Sequence, residues 1–85
     1  MNASQRFPEF AKDLTEKAQK ATTEDLTFAL NQGKKDTRQA EYTLEKAEQG
    51  NYQAGNARFF WAQAKDTLEM NELFCSTLEK ELATR

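Results

Sequence analysis

Apolar residues recur along this chain at alternating steps of three and four, the spacing that holds them on one face of an α-helix. Three such stripes can be traced. The first, Phe7, Phe10/Ala11, Leu14, Ala18 and Ala21, predicts a helix over 8–21. Pro8 stands at its first position, where a missing N–H has no helical partner to lose, and Glu9 complements the positive end of the helix dipole. The second stripe, Leu26, Leu30, Gly33, Thr37, Ala40, Leu44 and Ala47, predicts a helix over 24–48. Thr22-Thr23-Glu24-Asp25 marks its start with two capping residues followed by two acids. The register survives across Gly33, so the helix is continued through that glycine at a cost of ~1 kcal/mol. A kink or turn at Asn31-Gln32-Gly33 is the alternative. The small residues Gly33, Thr37 and Ala40 leave space that a bulky neighbour such as Trp61 or Phe74 would fill.

The third stripe, Ala57, Trp61, Ala64, Leu68, Asn71, Cys75, Leu78 and Leu82, predicts a helix over 56–83 with Asn56 as its cap. Between the last two helices, residues 49–56 carry two glycines and two asparagines and read as a loop. The last helix holds more large apolar side chains than one stripe needs. Phe59, Phe60, Met70, Leu73 and Phe74 fall beside or off it, and a surplus apolar face usually marks a contact with another protein. These five are the expected partner-binding residues. Trp61, Leu68, Asn71, Cys75, Leu78 and Leu82 are expected in the core or in oligomer packing, with Trp61 a buried anchor against Gly33 and Ala40. Asn71 stands where Leu would be ordinary. It either fixes the register of an oligomer or reaches solvent at a boundary.

Length turns these helices into an architecture. At ~1.5 Å per residue, a helix of about 26–29 residues spans roughly 39–44 Å. A compact domain of this size has a diameter of about 30 Å. The two long helices therefore suggest an antiparallel hairpin with the shorter N-terminal helix along it, in an oligomeric helical bundle. Composition agrees with an all-α class. The 85 residues suit one domain, Val and Ile are absent, and Pro8 is the only proline.

Charge and chemistry remove several function classes. The formal charge is −2 with both signs interspersed. Lys34, Lys35 and Arg38 are the only close cations, and Asp36 and Glu41 lie among them, so direct nucleic-acid binding is not expected. Without histidine the chain lacks the usual general base and the commonest metal ligand. Its single cysteine, Cys75, makes neither an internal disulfide nor a thiolate zinc site, and it suits a reducing cytoplasm. Glu9, Asp13 and Glu16 share a helix face, but Lys12 and Lys17 nearby make this an ordinary charged surface. No glycine loop has phosphate-binding spacing, and no stretch approaches the ~18 apolar residues of a membrane span. The expectation is a cytoplasmic, non-enzymatic protein with no cofactor and no metal.

From Met1-Asn2-Ala3-Ser4-Gln5-Arg6-Phe7-Pro8-Glu9-Phe10 through to the aromatic last helix, the whole chain resembles the small antirepressors of temperate bacteriophages. The likeness is one of length, charge and helical character, and it supplies no motif from which site residues transfer. It implies non-covalent binding to a phage repressor inside the bacterial host, release of that repressor from its operator, and prophage induction. The alternative is a small helical chaperone or assembly factor that masks a partner's amphipathic surface. An inhibitor of a nuclease or polymerase and a DNA-binding module built on Lys34, Lys35 and Arg38 complete the set.

Overall fold

The computed structural model describes the backbone of residues 3–49 and 57–85 and the side chains of 5–49 and 59–85. Within them the protein is all-α, with helices α1 (Ala3–Arg6), α2 (Pro8–Lys20), α3 (Thr23–Glu48) and α4 (Ala57–Ala83). Helix α1 has no apolar stripe to announce it. Phe7, with φ −127° and ψ 63°, breaks it from α2, and the Ala11 amide then donates to the Phe7 carbonyl at 2.9 Å. Pro8 opens α2 as its position requires. Between α2 and α3, Thr22 is extended and its hydroxyl accepts from the Asp25 amide at 3.1 Å, satisfying a donor that the first helical turn leaves free. Helix α3 runs through Gly33 without interruption. The loop residues 50–56 and the Asn56 cap lie outside the described residues.

Helices α3 and α4 form the antiparallel hairpin. Its register is fixed at Gly33, which faces Phe74 and Cys75, and at Thr37, whose hydroxyl lies 3.7 Å from the Cys75 sulfur. Helix α2 lies along the C-terminal half of α4. Leu26 and Leu30 of α3, Ala18 of α2 and Leu78 of α4 are buried together there, with Ala21, Ala29, Phe74, Cys75 and Leu82 packed against them. Arg85 ties the three helices at this end. It donates to the Ala18 carbonyl at 3.0 Å and to the Thr23 hydroxyl and the Glu81 carboxylate at 3.3 Å.

At the other end of α2, Arg6 pairs with Asp66 and Glu69, so the third helical layer stops about two-thirds of the way along the hairpin. Helix α1 packs on α4 here as well. The radius of gyration is 14.6 Å and the molecule measures 47 × 23 × 14 Å. A compact chain of this length would have a radius near ~12 Å. The elongation follows from two helices longer than such a globule is wide.

Candidate protein-binding site

The second apolar direction of α4 is divided between an inner and an outer part. Leu73 faces α2 in a groove shared with Ala11, Thr15 and Ala18. Phe74 packs against the core cluster, and its ring approaches Gly33. Both are thus half-buried within the chain, Leu73 beside α2 and Phe74 against α3. Helix α2 covers part of this face within the same chain. Met70 lies on the same helix face and is half-buried.

Trp61, expected as a buried anchor, is a correction. It is 37% exposed, with the Lys65 ammonium 5.1 Å from its ring centre. The register set at Gly33 and Thr37, carried along the hairpin, brings Trp61 level with the last turn of α3, far from Gly33 and Ala40. Phe74 takes the Gly33 space instead. Leu78 is buried, Cys75 and Leu82 pack against the core, and Leu68 is half-buried. Asn71 is half-buried on the rim of a groove between α3 and α4, which is the boundary position.

Three exposed aromatic side chains gather at the free end of the hairpin. Phe59, Phe60 and Trp61 follow one another in the first turn and a half of α4, and Phe59 is 63% exposed. The Phe59 and Phe60 rings meet edge to face, with centres 5.8 Å apart. That contact favours the pair by about 0.5–1.5 kcal/mol and orders two large rings beside solvent. Sequence reasoning missed two further exposed aromatics on α3, Phe28 and Tyr42. The signal was present, because both lie opposite the Leu26–Ala47 stripe. The Lys46 ammonium sits 5.3 Å from the Tyr42 ring centre.

The chemistry available here is that of contact. Among the described residues no group of three or more His, Cys, Asp or Glu side chains is placed to hold a metal ion. Nor is any side-chain nitrogen or oxygen buried without a partner among them. No described helix is long and apolar enough to cross a membrane. No protein-family model, curated protein or solved structure matches the chain.

Proposed function

We propose that this chain works by binding another protein through the aromatic end of its hairpin, and that the partner is a phage transcriptional repressor released from its operator by the complex. The observation that carries the binding part is the exposure of Phe59, Phe60 and Trp61 together on a small acidic protein. Aromatic side chains bury large area at low entropic cost and dominate binding energy at protein interfaces. The repressor enters through the resemblance to antirepressors, and the non-covalent mode is consistent with a chain that lacks a histidine base.

The test is a titration of the chain onto a preformed repressor–operator complex, the repressor being the helix-turn-helix protein that copurifies from the native host. Free operator DNA and intact repressor should appear together, and the chain alone should not retard the operator. Phe59→Asp and Trp61→Asp should abolish release while helicity by circular dichroism persists, because a charge buried without a partner is heavily disfavoured. Full release by the doubly substituted protein would show that the binding face lies elsewhere.

A further inference from the structure

Helix α3 turns one side away from the hairpin, and that side is not a surface of mixed charge. Because α3 runs unbroken through Gly33, helical spacing holds along its whole length. Opposite the buried Leu26, Leu30, Ala40 and Ala47, an outward stripe passes through Phe28, Asn31, Lys35, Arg38, Tyr42 and Lys46 at steps of three and four. It carries three cations, two aromatic rings and no carboxylate, on a chain whose formal charge is −2. Asp36 and Glu41 stand among these cations in sequence, yet the turn of the helix carries both off the stripe. We propose that this stripe docks a helix of another protein, one that presents a line of carboxylates and, at one end, an apolar side chain.

The rings and the cations are both left open. Phe28 is 74% exposed and Tyr42 57%. Lys35 and Arg38 are exposed, and neither forms an ion pair with a described residue, whereas Arg6, Lys17 and Arg85 all do. The Lys46 ammonium lies over the Tyr42 ring, which holds a cation and an aromatic face together at the surface.

Charge and width select the partner. Lys35, Arg38 and Lys46 span ~16 Å of helix, and Phe28 lies ~10 Å further toward its N-terminal end. A helix laid along α3 meets the cations with carboxylates at steps of three and four and turns an apolar group to Phe28. Glu24 stands on the stripe one turn beyond Phe28, so negative charge is attracted at the Lys35–Lys46 end and repelled at the other. Both long edges are acidic as well, with Glu41 and Glu45 on one side and Asp25 and Asp36 on the other. The strip between them is one helix wide, about 10 Å. A nucleic-acid duplex is wider and would bring phosphates onto those edges, and a single strand would carry its even charge up to Glu24. Exposed ion pairs are individually weak and are screened by salt, so the complex is transient and salt-sensitive. The stripe lies on α3 and Phe59, Phe60 and Trp61 lie on α4, so this docking stands independently of the repressor reading.

The test is fluorescence anisotropy of a labelled, alanine-rich peptide of about 20 residues, long enough to be helical in water. Its glutamates occupy one stripe, and a leucine follows two turns beyond them. A second peptide of the same composition spreads the glutamates around the helix. At about 30 mM salt, where screening is weak, the striped peptide should bind saturably below about 1 mM protein, and about 500 mM salt should release it. Lys35→Glu combined with Arg38→Glu should weaken binding at least about tenfold, through lost pairing and new repulsion. Phe28→Ser should weaken it severalfold, and Phe59→Asp should leave it unchanged. All four positions are exposed, and circular dichroism checks that each variant keeps its helices. Overturning results are no saturable binding, equal binding of the two peptides, or full binding by the charge-reversed or the Phe28 variant. Displacement by a thymidine oligonucleotide at a lower concentration than unlabelled peptide requires would also overturn it, and would assign the stripe to nucleic acid.

Discussion

Gly33 and Phe74 show how one residue sets the packing of its neighbour. A Cβ at Gly33 would stand 2.8 Å from Phe74 Cδ1 and 3.1 Å from the Cys75 sulfur. Alanine there gains about 1 kcal/mol of helix propensity but overpacks the junction of α3 with α4, at a cost of about 1–3 kcal/mol. Gly33→Ala should therefore lower the melting temperature, and Phe74→Leu in the same chain should recover part of the loss. A raised melting temperature in the single variant would mean that the ring moves aside freely. Trp61 and Leu78 make the complementary pair. Leu78→Ala should cost about 2–5 kcal/mol, as deletion of a buried leucine does. Trp61→Ala should cost under about 1 kcal/mol, since Trp61 touches the fold at its rim. Chemical denaturation of the two variants side by side checks the order, and equal losses would place Trp61 in the core after all.

Among the elements, what the sequence made legible was face, and what it left open was level. A stripe at steps of three and four tells which side chains look inward, and Leu14, Ala18, Leu26, Leu30, Ala40, Ala47, Ala64 and Leu78 are buried accordingly. Trp61 and Phe74 were exchanged because periodicity carries no information on how far one helix slides past the other. That register came from the Gly33 and Thr37 contacts. The N-terminal helix is expected along the hairpin, but its stripe does not tell which face of α4 it covers, and that face includes Leu73. The helix starts were easier, because capping chemistry is local. Thr22→Ala removes the acceptor of the Asp25 amide and should cost about 1 kcal/mol, read as a lower midpoint in urea with an unchanged slope. An unaltered midpoint would mean that water replaces the hydroxyl without loss.

At the scale of the whole molecule, the protein narrows from a three-helix body toward the hairpin end, and Phe59, Phe60 and Trp61 are exposed at that end while Phe28 is exposed on the body. This shape reconciles a last helix too apolar for one partner with a chain that packs half of that surplus against itself. The same asymmetry places the proposed binding surface as far as possible from the core cluster around Leu78. Substitutions at the aromatic end should therefore alter binding with little effect on stability. The central claim is that this end is where another protein docks, and Trp61, the only tryptophan, reports on it from within. The most direct measurement is Trp61 fluorescence during titration with the copurified repressor. A saturable blue shift is expected as the indole leaves water, and Phe59→Asp should abolish it. Saturated complex formation with no change in Trp61 emission would contradict it.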